Sequence, residues 1–434
     1  MAEEAMQVSE EALRKRKAEN DEDGLPDAKR AKPEETAQEV VVKRRKVVGQ
    51  VFVAGMGEVG QLGLGPDVFE KARFALVPDL DDVVDVVAGG VHTLCLTADG
   101  KVWSFGCNDE GALGRTTTVE GSETTPGCVE FPEPIAQLTA GDCHSVALSV
   151  SGTVYIWGCF RDSGGQMGLV SEGKAEHEPV KVATGVVQKS SPDCQFNSGP
   201  RFSSPQRCQF KSLIRAVGNF CRRGSSYIKL KSLVELVELL KPCGKSVAFD
   251  SVWAGGYTTI ARQRDTGSLY GFGLNNFRQL GTFEGSSSKA ELCVYSPEPM
   301  SSCSGHRWKL VSAGEHHTLL LREDGAVFTL GRKEYGRLGL GVSTPANGKD
   351  QETPAQVLKL SDCVDVSCGE IVSYAIDSKG RLFSWGCGGN YQLGHKGEED
   401  KYEPEQVAGR LAERKVLAVS GGGQHAVVLA APAV

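Results

Sequence analysis

The chain has 434 residues, of which 40% are hydrophobic and 24% charged, a composition typical of a soluble globular protein. No apolar run approaches the roughly 20 residues that a membrane-spanning helix needs, so we expect no membrane partner. The formal net charge of −7 argues against nucleic acid as the main partner, although the position of charges matters more than their sum. The 14 Cys are scattered without a Cys-x-x-Cys pair, which favours a reduced intracellular protein.

Residues 1–47 form a charged tail that is predicted to be disordered. The tail alternates acidic and basic blocks and contains no aromatic residue. Its cations fall into three compact clusters: Arg14, Lys15, Arg16 and Lys17; Lys29, Arg30 and Lys32; and Lys43, Arg44, Arg45 and Lys46. Such clusters predict binding to nuclear import receptors or to the DNA backbone, and an ordinary solvated tail is the alternative.

Residues 48–430 carry an internal repeat with a period of roughly 50 residues. One half of the repeat is an Ala-Gly-x-x-His segment, found at 88–92, 140–144 and 313–317. The other half runs from an aromatic residue and Gly to Leu-Gly, as in 105–114 and 272–281. Between the halves, alternating apolar runs flank Gly-containing dipeptides suited to tight hairpin turns. Each repeat therefore predicts about four short antiparallel strands, the pattern of a propeller blade.

The two ends of the repeat region complement each other. Residues 51–64 contain only the second half-motif and residues 419–429 only the first, so together they make one full repeat. We expect the N- and C-terminal strands to share a blade and close the ring, which removes exposed strand edges. The repeat Gly positions predict an all-β, seven-bladed propeller: Gly89, Gly141, Gly185, Gly255, Gly314, Gly369 and Gly422.

The repeat fails over residues 186–245, where most of the third full blade is missing. This segment is Ser-rich and basic and includes a run, 228–241, with helical spacing of Leu and Val. A functional insertion, a decayed blade and a sequence artefact such as a frameshift all fit this pattern. The four Cys within it, Cys194, Cys208, Cys221 and Cys243, match no familiar zinc spacing, so neither a metal nor another cofactor is expected.

The half-motifs and the split final repeat, with the strings at 105–122, 157–168 and 331–341, resemble the regulator of chromosome condensation family. The resemblance runs from about residue 50 to 429, apart from the failed segment. It implies a nuclear, chromatin-associated exchange factor for the small GTPase Ran, which promotes GDP release without covalent chemistry. It also implies contacts with nucleosomes, although the start of this tail departs from the family's usual one.

By resemblance, Ran would dock on one face of the propeller, and a β-wedge protruding from a blade would disturb the bound nucleotide. The wedge would be formed by Phe160, Arg161, Asp162, Ser163, Gly164 and Gly165, where Asp-Ser-Gly-Gly is also turn chemistry in its own right. The docking residues carried over from the family are Glu58, Asp142, Arg161, Asn276, Arg278, His316 and His425. A plain surface loop remains the alternative for the wedge.

Several His could serve either in packing between blades or in docking a partner. His92, His144, His317 and His425 occupy the repeat position, which predicts an internal hydrogen bond for each, and for His425 both roles stay open. Asp142 and His316 fall outside the repeat consensus, so we favour docking for these two. Because no catalytic motif is present, an enzyme with covalent chemistry is not expected. The rival hypothesis is a propeller scaffold that binds chromatin or other partners without nucleotide exchange.

Overall fold

The computed structural model describes residues 47–162, 165–169, 173–184, 249–283, 292–341 and 350–433. The three basic clusters of the tail and the irregular segment 186–245 lie outside the described residues, as do the four Cys considered for zinc. Almost all of the regular secondary structure in the described residues consists of short strands, which are connected by loops and turns. Its helical elements are three turns of 3-10 helix at Ser301–Cys303, Glu334–Gly336 and Gly409–Leu411.

The strands follow one another in repeated groups. The first two are β1 (Gln50–Met56) and β2 (Glu70–Leu76). Blade I contains β3 (Val83–Ala88), β4 (His92–Thr97), β5 (Val102–Gly106) and β6 (Gly127–Val129). Blade II contains β7 (Ile135–Ala140), β8 (His144–Ser149), β9 (Val154–Gly158) and, after the short strands β10 (Phe160–Asp162) and β11 (Gly165–Gly168), β12 (Glu176–Ala183).

The second half of the chain repeats the pattern. Blade III contains β13 (Phe249–Ala254), β14 (Thr258–Gln263), β15 (Leu269–Leu274) and β16 (Cys293–Pro299). Blade IV contains β17 (Trp308–Ala313), β18 (His317–Arg322), β19 (Val327–Gly331) and β20 (Gln351–Gln356). Blade V contains β21 (Cys363–Cys368), β22 (Val372–Asp377), β23 (Leu382–Gly386) and β24 (Lys401–Gln406), and the chain ends with β25 (Val416–Gly421) and β26 (His425–Ala430).

The ring closure predicted from the split repeat is confirmed. The last blade, here the closing blade, has the order β2-β1-β26-β25, so the chain's first two strands complete a sheet begun by its last two. Gln50 pairs with Ala430 and Gly55 with His425 in an antiparallel register. The first strands thus occupy the edge that β26 would otherwise expose.

The predicted number of blades is wrong. The described residues form six four-stranded blade sheets, not seven. The seventh repeat was counted from Gly185, which lies in the stretch 185–248 outside the described residues. A single Ala-x-Gly match was a weak basis for a blade, because a blade also needs the hairpin dipeptide and the Leu-Gly half-motif.

Short-range turn chemistry explains why these residues form blades. The glycines of the predicted hairpins, Gly100, Gly152, Gly325 and Gly380, have φ between 81° and 88°, which side chains with a Cβ rarely adopt. Both faces of each second strand are buried, as all six residues of β4 show. The core therefore lies between successive blades, where for example Trp157 of blade II packs with Leu94 and Val102 of blade I.

No helix of the described residues is long and apolar enough to cross a membrane. Within the same residues, no three His, Cys, Asp or Glu side chains are arranged as a metal site. The ten Cys described there are free thiols, five of them buried.

Candidate functional site

Two kinds of loop lie at the same end of the blades, and we call this end the upper face. In each blade, the turn after the first strand and the loop after the third strand lie at the same end because neighbouring strands are antiparallel. Asp142 and His316 follow first strands, whereas Glu58, Asn276 and Arg278 follow third strands. The short sheet β10-β11 also follows a third strand, β9. The structure therefore brings these predicted docking residues to one face.

A cavity of about 370 Å³ opens in the middle of the upper face and is lined by the turns after the innermost strands. These turns come from all six blades and contribute Gly89, Gly141, Gly255, Gly314, Gly369 and Gly422. Backbone hydrogen bonds link turns of neighbouring blades, such as Gly423 N to Gly90 O at 3.0 Å and Gly256 N to Gly314 O at 2.9 Å. Because these glycines have no side chain, the turns can approach this closely.

Three carboxylates surround the cavity: Asp142, Glu315 and Glu370. The side chain of Glu370 is hydrogen-bonded to that of Glu315. Partial burial, then the charges of Glu315 and Asp142, raise the pKa of Glu370 to about 7, and the cation Arg337 opposes this rise. The acidic mouth is suited to a partner that presents cations.

Glu315 and Glu370 were missed in the sequence, although a signal was present. Both occupy the same repeat position as Asp142, directly after the repeat Gly, where the other blades have Gly90, Gly256 and Gly423. Aligning the repeats position by position would have shown that acids replace glycine in three blades.

His316 lies between blade III and blade IV, and 13% of its side chain is exposed. Its Nε2 atom is 3.6 Å from a carboxylate oxygen of Glu315. Burial lowers the pKa of His316, Glu315 opposes this effect, and the cations Arg337 and Arg332 lower the pKa further. The imidazole is therefore uncharged at neutral pH.

The remaining docking residues lie in the loops after third strands. Glu58 and Asn276 are exposed, and the Asn276 side chain accepts a hydrogen bond from Gln279 Nε2 at 3.2 Å. Arg278 has a φ of 62° and places its Nε atom 3.9 Å from Glu352. Met56 N donates to Gln424 O at 2.9 Å, and Gln424 lines the cavity, so the loop that carries Glu58 begins beside it.

The segment predicted as a wedge forms a small sheet of its own. β10 and β11 pair antiparallel, with Phe160 opposite Gly168 and Asp162 opposite Gly165, and this pair is separate from the four strands of blade II. Phe160 is buried, and the centroid of its ring lies 4.5 Å from the centroid of the His144 ring. Gln166 donates to the carboxylate of Glu110 in blade I. Ser163 and Gly164 lie outside the described residues, and for Arg161 only the backbone position on β10 is described.

Three of the four repeat His have the internal hydrogen bond that the sequence predicted. His92, His317 and His425 each hydrogen-bond through Nε2 to a hydroxyl group of another blade: Ser145 at 2.9 Å, Ser373 at 2.9 Å and Thr93 at 2.8 Å. His425 has no exposed surface, and burial lowers its pKa to about 3. This geometry favours the packing role for His425.

The fold is an all-β propeller of four-stranded blades, closed by a sheet that combines the first and last strands of the chain. A model of the RCC1-like domain matches residues 50–428. The regulator of chromosome condensation of Mus musculus is 41% identical over an alignment 426 positions long, which covers 93% of this chain and 98% of that protein. The chain therefore belongs to the regulator of chromosome condensation family.

A sequence relative and a solved structure from yeast extend the comparison. The guanine nucleotide exchange factor SRM1 of Saccharomyces cerevisiae is 28% identical over an alignment 433 positions long, which covers 87% of this chain and 86% of that protein. The crystal structure of Prp20p from Saccharomyces cerevisiae, studied for its binding to Gsp1p and histones, superposes with a TM-score of 0.73 at 25% identity. That match covers 91% of this chain and 94% of the chain in that structure.

Proposed function

We propose that this protein is a guanine-nucleotide exchange factor for the small GTPase Ran. The observation that carries the proposal is the convergence of Asp142, His316 and the β10-β11 sheet on one face around an acidic cavity. Family membership supports it, as does the name of SRM1, a guanine nucleotide exchange factor. Nothing in this function requires a nucleophile or a metal of the protein.

The mechanism follows from what holds the nucleotide. A small GTPase binds GDP through a Gly-rich loop, a Lys and Mg²⁺, so a group that displaces any of these contacts lowers nucleotide affinity. Under the proposal, the upper face binds the GTPase while β10-β11 presses beside the nucleotide. The exchange factor stabilises the nucleotide-free state, and since release and rebinding are both accelerated, the more abundant nucleotide determines the product.

The proposed location is the nucleus, on chromatin. The tail clusters would bind nuclear import receptors, and contacts with histones or DNA would follow once the protein is imported. The binding of histones by Prp20p supports this part of the proposal.

Fluorescent GDP release from Ran, measured with the full chain, tests the exchange function. The wild-type protein is expected to accelerate release, and Asp142→Ala to slow it, because truncating a polar contact used in the exchange complex commonly costs about 1 to 3 kcal/mol, or roughly 5- to 150-fold in rate. The matched control is Asp81→Ala, an exposed acid between β2 and β3 at the opposite end of the blades. This variant should retain the wild-type rate.

The second candidate function is a scaffold that binds chromatin or other partners without exchange. The observation that favours it is the count of six described blade sheets, because a changed ring alters the spacing of loops on the upper face. A folded full-length chain that leaves GDP release from Ran at its intrinsic rate would support the scaffold and overturn the exchange function.

A further inference from the structure

Two aromatic rings of blade III hold the ring of His316, which belongs to blade IV. Tyr257, in the turn after β13, stacks on His316 with ring centroids 5.6 Å apart and planes 19° apart. Phe277, in the loop after β15, contacts His316 with centroids 4.6 Å apart and planes 56° apart. The orientation of His316 is therefore set across the boundary between two blades.

A charged group in turn fixes Phe277. The guanidinium of Arg332 lies 4.4 Å from the centre of the Phe277 ring, within the range of a cation–π contact. Arg332 is also ion-paired with Glu334 in the same loop of blade IV. Phe277 thus lies against both His316 and Arg332 and is anchored by blade IV on two sides.

Charged residues in two loops of blade IV change the pKa of His316. Glu315, in the turn after β17, attracts a proton, whereas Arg332 and Arg337, after β19, repel one. Arg337 is 1% exposed, and its Nη1 atom has no hydrogen-bond partner among the described residues. Its charge is consequently little screened by water at this site.

We propose that Phe277, supported by Tyr257, is a positioning residue that fixes the ring of His316 on the upper face for nucleotide exchange. The proposal rests on the exchange function proposed above. Phe277 does not need to touch the GTPase. It excludes water from one side of the imidazole and restricts its rotation, so that a docking partner meets an uncharged ring in one orientation.

The experiment compares Phe277→Leu with Phe277→Tyr in the full chain. Leu keeps an apolar side chain but removes the ring. Tyr keeps the ring, so the Tyr variant should keep the wild-type titration of His316 and the wild-type rate of GDP release. The matched control is Phe131→Leu, since Phe131 is a half-buried loop aromatic that packs edge-on against Tyr155 and Trp157, away from His316. It measures the effect of losing aromatic packing alone.

The first measurement is the NMR titration of His316 with labelled His, assigned with His316→Ala. Phe277→Leu is expected to raise the pKa of His316 toward its ordinary value of 6.5, because water then reaches the ring. Phe277→Tyr and Phe131→Leu should leave the titration unchanged. This measurement does not involve Ran, so it tests the positioning even if the exchange function fails.

The second measurement is fluorescent GDP release from Ran. Phe277→Leu is expected to lower the maximal rate roughly tenfold, as displaced reacting or positioning groups commonly do. In a His316→Ala background, Phe277→Leu should have no further effect, because its role acts through that ring. An unchanged titration of His316, or additive losses in the double variant, would overturn the proposal.

Discussion

His92 Nε2 lies 2.9 Å from the hydroxyl oxygen of Ser145 in the next blade. Ser145 donates its own proton to Ala112 O at 2.8 Å, which leaves its oxygen to accept from the imidazole. His317 with Ser373 and His425 with Thr93 repeat this relationship. The junction between blade V and the closing blade lacks this hydrogen bond. Val372 occupies the His position of blade V, Ala426 occupies the hydroxyl position of the closing blade, and the two residues belong to one apolar cluster.

Removing the hydroxyl should therefore destabilise the junction between two blades. Ser145→Ala leaves a buried imidazole nitrogen without its partner, which costs about 1 to 3 kcal/mol of unfolding free energy, whereas Ala112 O keeps the hydrogen bond from Trp157 Nε1 at 2.8 Å. Chemical denaturation of the full chain measures this loss, with exposed Ser304→Ala as a control that stays within about 0.5 kcal/mol. Equal stabilities of the two variants would contradict the inter-blade role of Ser145.

The pKa of Glu370, raised to about 7, predicts a pH effect on stability. The folded protein binds this proton more tightly than the unfolded chain, so the stabilisation is complete below the ordinary value of 4.5 and is lost as pH rises to about 7. Glu370→Gln should therefore show a smaller fall in melting temperature than wild type across that interval. Exposed Glu323→Gln should follow wild type, and parallel curves for Glu370→Gln would contradict the raised pKa.

His425 predicts a pH effect of opposite sign. Because burial lowers its pKa from 6.5 to about 3, the unfolded chain binds the proton more tightly, and stability is lost as pH falls below 6.5 toward 3. His425→Gln should reduce stability at pH 7 but flatten this acid loss in denaturation curves. If packing is its role, the rate of GDP release per folded molecule stays unchanged; a slower rate would return His425 to the docking residues.

Arg161 provides a test of the β10-β11 sheet. Arg161→Ala is expected to slow GDP release from Ran roughly 5- to 150-fold, because β10 is the strand proposed to approach the nucleotide. Lys181→Ala removes an exposed cation from β12 of the same blade and serves as the control. Equal rates for both variants would argue that the small sheet is a surface loop without a role in exchange.

The tail is predicted to direct nuclear import. Deleting residues 1–46 removes all three basic clusters while leaving β1 and the blades complete, so the propeller should remain folded. A fluorescent fusion of the truncated chain should shift from the nucleus to the cytoplasm. Nuclear accumulation that persists without these residues would show that import depends on another part of the chain.

Local chemistry made most of the fold predictable. The hairpin at Asp99-Gly100 follows from turn residues and alternation, which are visible in a short window. The pairing of residues 51–64 with 419–429 follows from the two half-motifs that complete one repeat. The prediction of seven blades is wrong because it counted Gly185 as a repeat, and one matching glycine does not establish the four strands of a blade.

The candidate site was only partly predictable. Asp142 and His316 stood out because they depart from the repeat consensus. The contact between Phe277 and His316 joins loops of two blades, and no sequence spacing determines which ring meets which. The carboxyl pair Glu315–Glu370 depends in the same way on how neighbouring turns pack around the cavity.

The pairing of Gln50 with Ala430 also constrains how the chain folds during synthesis. Among the described strands, β1 and β2 are synthesised first, whereas β26, which pairs with β1 on one side, is synthesised after the other 25. Until then the closing blade is incomplete, and β1 presents an unpaired edge that can pair with another chain. Such a long sequence separation slows folding. Loss of β26 would therefore leave β1 without this partner, and we expect a truncation just before His425 to be strongly destabilising.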